Sequence, residues 1–191
     1  MNKAGLKVFA DEELVDLILS SKNSKLFEEI YDRYAGKVFN KCLSFVKNKE
    51  LAEDYTHDVL IKVYMSLSTF RKGSKFSTWL YAITYNYCVD KQKINQRERD
   101  LIERSANEYD LGEEPSDDDI FQIQVDRLRQ IMNLLAPEER VIILLKYQDD
   151  LSILQLTEIF QINESAVKMR LKRSKEKLLK LYKDKYAHSV I

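Results

Sequence analysis

Apolar residues recur at three-four spacing through almost the whole of this 191-residue chain, and only four glycines and two prolines interrupt it. That period matches the 3.6 residues of a helical turn and not the two-residue alternation of a strand, so an all-α protein is expected. The stripes can be read off in order. Leu14, Leu17 and Ile18 line a short acidic helix capped by Asp11 and running from Glu12 to about Ser20. Phe27, Ile30, Tyr34, Val38, Cys42 and Phe45 line a long helix from Ser24 to about Lys47. Leu51, Tyr55, Val59 and Val63 follow Asn48, and Phe76, Trp79, Leu80, Ile83 and Tyr87 follow a basic loop. Gly36, inside the long helix, is expected at a close helix packing, since it costs about 1 kcal/mol relative to Ala. Four such helices can close one core, which makes residues 1–96 a domain.

Residues 97–124 change character. Acidic groups dominate, the apolar spacing fades, and Gly112, Pro115 and Asp117-Asp118-Asp119 predict a flexible acidic linker. Helical spacing resumes near Val125 with Leu128, Ile131, Met132 and Leu135, then a helix opening at Pro137. Residues 125–191 therefore form a second small domain, of four helices, joined to the first by the linker.

Formal charge balances at 31 basic and 31 acidic side chains, yet its placement is uneven. Residues 1–24 carry −1, 25–96 carry +4, 97–125 carry −7 and 126–191 carry +4. The near-neutral isoelectric point thus says little about partners. Cys42 and Cys88 have no CxxC neighbours and only His57 and His188 could join them, so no zinc site is expected. Two lone cysteines on helical faces suggest reduced, packed thiols in a cytoplasm. No signal peptide is recognisable and no apolar run approaches ~20 residues, so no membrane insertion is expected.

Residues 151–185 carry the sharpest pattern. Ser152 and Gln155 are spaced as a capping box, and Leu156, Ile159 and Phe160 give the helix they open an apolar face. Gln161-Ile162-Asn163 breaks that helix, and Asn163 is a good N-cap for the next. There Val167, Leu171, Ser174 and Leu178 share a narrow arc, while Ser165, Lys168, Met169, Lys172 and Arg173 lie on or around the opposite side. Residues 168–185 hold nine cations against two acids, a net +7. A capped helix, a three-residue turn and a second helix that is apolar inside and basic outside describe a helix-turn-helix. Its cations neutralise phosphates and release counterions.

A second candidate surface lies between Tyr64 and Tyr87, where seven aromatics interleave with Arg71, Lys72 and Lys75. Rings beside cations hold single strands, because bases stack on rings while the backbone follows the charge. Trp79, Phe76 and Tyr87 fall on the buried stripe. Tyr81 and Tyr85 point the other way and are the candidate stacking residues. Asp54 and Asp58, one helical turn apart with Glu53 nearby, raise a metal-dependent nuclease as a rival. Carboxylates at that spacing are more often a solvated face or a docking surface for a basic partner. No glycine-rich phosphate loop, Ser/His/Asp set or HExxH occurs, so no catalytic residue, metal or cofactor is assigned.

Five blocks together carry a family resemblance: LFEEIYDRYAGKVF, ELAEDYTHDVLIKVY, FRKGSKFSTWLYAITYNYCVDK, LAPEERVIILLKYQDDLS and INESAVKMRLKRSKEKL. In this order, with an acidic linker between the third and fourth, they resemble bacterial sigma-70 family factors of the small extracytoplasmic-function (ECF) type. The resemblance implies that Ala52-Glu53-Asp54 and the following His57-Asp58 dock on the clamp helices of core RNA polymerase, whose β′ and β subunits are both implied as partners. It assigns Glu53, Asp54, His57 and Asp58 to that contact. It assigns Arg71, Lys72, Lys75, Tyr81, Tyr85 and Asn86 to the −10 promoter element as it melts. Ser165, Lys168, Met169, Lys172 and Arg173 would read the duplex −35 element, and the acidic linker would thread the polymerase cleft and RNA exit path. A cytoplasmic protein without catalysis of its own, held by an anti-sigma factor, is implied as well. Thr157 stands where the family usually has Ala, Gln161 where it often has Gly, and Asn163 where Pro is common. The rival reading is an ordinary helix-turn-helix regulator that binds duplex DNA without polymerase. A helical adaptor with no DNA affinity is a third.

Overall fold

The structure, a computed structural model, describes residues 9–21, 23–101 and 120–186, with side chains through 94 and again from 125. The described residues form helices joined by turns and contain no strand. They divide into two compact units, one holding the described residues up to Leu101 and the other nearly all of those from Ile120 onward.

The first unit opens with α1, Asp11–Ser21, which buries Leu14, Val15 and Ile18. Asp11 does not serve as its cap. The Ala10 carbonyl accepts the first helical bond from Leu14, and the Glu13 carboxylate takes the Ala10 N–H at 2.9 Å. Asp11 is thereby left to pair with Arg33 at 2.7 Å and to accept from the Tyr34 hydroxyl, which ties the helix start to α2. Burial and this carboxylate push the Tyr34 hydroxyl well above the ordinary tyrosine range.

A 3-10 turn, Ser24–Leu26, capped by Asn23, leads into α2, Phe27–Val46. Ile30, Tyr34, Val38, Cys42 and Phe45 are buried along it as their spacing requires. Lys47 ends the helix with φ at 53°, and Asn48 at once caps α3, Lys49–Ser66, by accepting the Leu51 N–H at 2.8 Å. So short a link makes α2 and α3 antiparallel neighbours. Ala52, Tyr55, Thr56, Val59, Leu60 and Val63 form the α3 side of the core. Thr56 satisfies its hydroxyl on the Ala52 carbonyl at 2.6 Å, which is how a polar residue sits there.

α4, Phe76–Leu101, is rotated relative to the sequence expectation. Phe76 and Leu80 are buried, but Tyr81, Thr84 and Cys88 join them, while Trp79, Ile83 and Tyr87 are only half-buried. Apolar and small residues surround the helix between 76 and 88, so several phases of the stripe are open to the sequence. Thr84 fits inside because its hydroxyl donates to the Leu80 carbonyl at 2.9 Å. Cys88 meets Cys42 of α2, sulfur to sulfur at 3.8 Å, both thiols free and buried. The Cys88 thiol donates to Cys42, which raises the pKa of Cys88 and lowers that of Cys42. Because α4 reaches Leu101 and α5 begins at Ile120, both ends of the 97–124 stretch are helical. Residues 102–119 of the expected linker lie outside the described residues.

In the second unit α5, Ile120–Leu134, buries Ile131 and half-buries Met132, whereas Leu128, expected on the same face, is exposed. Arg140, buried in α6, Pro137–Tyr147, donates to the carbonyls of Met132, Asn133 and Leu135 at 2.7, 2.9 and 3.2 Å. Those carbonyls lie at and just past the end of α5, so one guanidinium closes that helix and docks it on the next. Pro137 opens α6 with its missing N–H at no cost, and Glu139 accepts the Ala136 N–H at 2.9 Å.

Gly36 is exposed, and a Cβ built on it meets nothing within 4 Å. The close packing expected there is absent. Gly36→Ala is therefore expected to stabilise the chain by about 1 kcal/mol through helix propensity alone, read as a higher urea midpoint at unchanged slope.

Candidate nucleic-acid interface

Three surfaces carry the residues singled out by the sequence. On α3, Ala52 is buried while Glu53, Asp54, His57 and Asp58 are exposed on the outward side. Asp58 accepts a bond from the Tyr87 hydroxyl of α4, and burial together with this carboxylate pushes that hydroxyl well above its ordinary range. Ile61 and Met65, 58% and 78% exposed, continue the line of Asp54 and Asp58 at helical spacing. Reading the motifs alone misses these two apolar residues of the same face. Their signal is that they fall off the buried stripe of Tyr55, Val59 and Val63. Among the described residues no group of three or more His, Cys, Asp or Glu is arranged to hold a metal ion.

The second surface is the loop before α4. Arg71, Lys72 and Lys75 are exposed around a turn closed by the Gly73 N–H on the Arg71 carbonyl at 2.7 Å. Phe70 roots the loop, its ring edge-on to Phe76 at 5.5 Å and tilted against Trp79 at 5.5 Å. Along α4, Asn86 is exposed and Tyr85 is half-buried, its ring edge-on to Phe45 at 6.0 Å. Tyr81 departs from expectation. It is 3% exposed, edge-on to Tyr34 at 6.3 Å, with the Lys41 ammonium 5.0 Å from its ring centre. A ring enclosed in this way offers no face to a base. The rotation of α4 toward Thr84 and Cys88 is what carries it inside.

The third surface is the helix-turn-helix, α7 (Ile153–Phe160) and α8 (Glu164–Tyr186). The capping box forms: the Gln155 carboxamide oxygen accepts the Ser152 N–H at 2.9 Å, and the Ser152 hydroxyl accepts the Gln155 N–H at 3.2 Å. Thr157 places its hydroxyl on the Leu154 carbonyl at 2.6 Å, so this polar side chain is satisfied locally. Gln161 takes the left-handed turn at φ 55°, and Asn163 caps α8 by accepting the Ala166 N–H at 2.8 Å. Val167, Leu171 and Ser174 are buried, and Ser165, Lys168, Met169, Lys172 and Arg173 are exposed. Lys168 pairs with Glu164 at 2.9 Å and Lys172 with Glu176 at 3.9 Å, each one turn along the same helix. Such exposed pairs hold only about 0.3–0.5 kcal/mol and give way readily to a phosphate.

The family model described as Sigma-70 region 2 matches residues 30–98, and that described as Sigma-70, region 4 matches residues 126–178. ECF RNA polymerase sigma factor SigW of Bacillus subtilis is 30% identical over 167 residues, spanning 83% of this chain and 89% of that relative. The ECF RNA polymerase sigma-E factor of Haemophilus influenzae is 28% identical over 177 residues, 87% and 92% of the two chains. In fold, the chain is similar to the sigma factor RpoE of Bartonella quintana, solved in complex with the anti-sigma factor NepR, with a TM-score of 0.65 at 21% identity over 82% of this chain and 96% of that one. The chain belongs to the sigma-70 family, in its ECF group. It is thus a promoter-specificity subunit that directs transcription initiation by bacterial RNA polymerase. Among the described residues no helix is long and apolar enough to cross a membrane.

Tyr81 separates a core ring from a stacking ring. Tyr81→Ala is expected to cost about 3–5 kcal/mol in urea denaturation, as deletion of a buried aromatic does, while Asn86→Ala stays within about 0.5 kcal/mol of wild type.

Proposed function

We propose that the three surfaces divide the work of promoter recognition. The carrying observation is that α8 buries Val167, Leu171 and Ser174 while exposing Ser165, Lys168, Met169, Lys172 and Arg173. That face suits the major groove of the −35 duplex, with the cations on phosphates and the remaining side chains at base edges. Arg71, Lys72, Lys75 and Asn86, with the partly open ring of Tyr85, suit the melted −10 strand, where an unstacked base needs polar edges and its backbone needs cations. Tyr81 supports this surface from within.

Glu53, Asp54, His57 and Asp58 form the contact to core polymerase. Ile61 and Met65 extend it, giving a charged patch an apolar continuation of the kind that stable interfaces bury at their centre. The factor works without catalysis of its own, in the cytoplasm where polymerase and promoter are, and is held by an anti-sigma factor. Resemblance to ECF factors supports that control, and a fold of the same kind has been solved with an anti-sigma factor bound.

Pull-down with bacterial core RNA polymerase tests the assignment. Wild type is expected to bind saturably, and Asp54→Arg/Asp58→Arg to lose binding while its circular dichroism is unchanged. Folded wild type that ignores polymerase yet binds duplex tightly would leave a conventional regulator instead. In the reconstituted holoenzyme, Lys172→Ala and Arg173→Ala should each flatten the salt dependence of promoter affinity by about 0.9 in the log-log slope.

A further inference from the structure

α1 carries Asp11, Glu12, Glu13 and Asp16 and no cation, and it contacts the basic loop before α4. Its four carboxylates have separate tasks. Asp11 holds Arg33 and Tyr34 of α2, and Glu13 closes the start of α1 itself. Glu12 reaches across to accept the Phe76 N–H at 2.8 Å, capping α4 at the residue where the loop ends. Asp16 forms an ion pair with Lys72 in the middle of that loop. Asp11 and Glu12 fix α1 on α2 and on the root of α4, so Asp16 is presented to Lys72 from a rigid support.

Both members of the Asp16–Lys72 pair are more than half exposed, with side-chain accessibilities of 53% and 59%. A carboxylate and a nucleic-acid phosphate offer the same ligand to an ammonium, an anionic oxygen. They compete for it on nearly equal terms where water reaches both. Phosphate adds the release of condensed counterions, which the carboxylate lacks. Lys72 therefore changes partner at small cost when a strand arrives, and returns to Asp16 when it leaves.

We propose that α1 is an acidic clasp on the strand-binding loop: Asp16 holds Lys72 in the place of a backbone phosphate, and strand binding exchanges one ion pair for the other. This rests on the reading of Lys72 as a contact to the melted strand. The clasp lowers the sequence-independent hold of the loop on nucleic acid and keeps the lysine from other anions while no strand is bound. Glu12 acts as a positioning residue, keeping loop and α1 in register through the exchange.

A double-mutant cycle in the full chain tests it, with the anisotropy of a short fluorescein-labelled oligothymidylate at low salt as the readout. Asp16→Asn is expected to tighten binding about two- to fivefold, the equilibrium worth of an exposed ion pair. The same substitution in a Lys72→Ala background is expected to change nothing, and Lys72→Ala alone to weaken binding. If Lys72→Ala weakens binding but Asp16→Asn gives no gain, or an equal gain in both backgrounds, the clasp is overturned and Asp16 acts at most through space. If Lys72→Ala leaves affinity unchanged, or wild type fails to bind, the strand-binding reading of the loop falls and the clasp falls with it.

Discussion

Among the described residues, three turns pass through left-handed backbone without a glycine. Lys47, Asp150 and Gln161 take φ values of 53°, 52° and 55°, each just beyond or at the end of a helix. Such a conformation costs an ordinary residue about 1 kcal/mol or more, because its Cβ crowds the carbonyl that follows. What offsets the cost is the cap that comes within two residues: Asn48 for α3, Ser152 for α7 and Asn163 for α8. Stop and start are thus fused, and the angle between successive helices is set locally. The apolar stripes meet only because these turns deliver them. The cation face of α8 has its direction for the same reason, since Asn163 and Gln161 decide where that helix begins.

On this frame three of the cations proposed to meet nucleic acid are neither bare nor locked. Lys168 and Lys172 lean on Glu164 and Glu176 of their own helix, and Lys72 leans on Asp16 of α1. Arg33 and Arg140 contrast with them. Arg33 is held by two carboxylates, and Arg140 is buried on three carbonyls. A guanidinium with several fixed acceptors is a structural joint, whereas an exposed ammonium leaning on one exposed acid remains available. The difference between a fold-holding cation and a ligand-holding one lies in the number and burial of its acceptors, not in its charge.

Much of this is legible in the sequence because capping chemistry is local. Asn48, Ser152 with Gln155, and Asn163 all cap as their spacing demands, and α8 turns its expected sides in and out. The departures share a cause. Around α4 the apolar residues are too dense for the 3.6 period to choose a phase, and the choice is made by partners on α2: Tyr34 and Lys41 around Tyr81, Cys42 against Cys88. Asp11 reads as a cap because its identity suits one. The tertiary pull of Arg33 and Tyr34, more than twenty residues away, has no local signature. Leu128, expected on the buried face of α5, is an apolar residue whose exposure only the packed helices reveal.

The rotation of α4 also joins two surfaces that the sequence presents as separate. Half-buried rather than central, Tyr87 reaches the α3 face, where its hydroxyl donates to Asp58 and its ring stands edge-on to Tyr55 at 5.3 Å. The Lys91 ammonium lies 5.4 Å from the Tyr87 ring centre and 6.0 Å from that of Tyr55. Aromatic and cation–π contacts of this kind each contribute about 0.5–1 kcal/mol, and together they bridge two helices over a turn of each. α3 and α4 therefore present their outward residues in a fixed mutual orientation. A partner that grips the Asp54, Asp58, Ile61 and Met65 side of α3 holds α4 and its loop at a defined distance and angle. Rigidity between the two helices, more than any single contact, is what would let docking on one surface place the other.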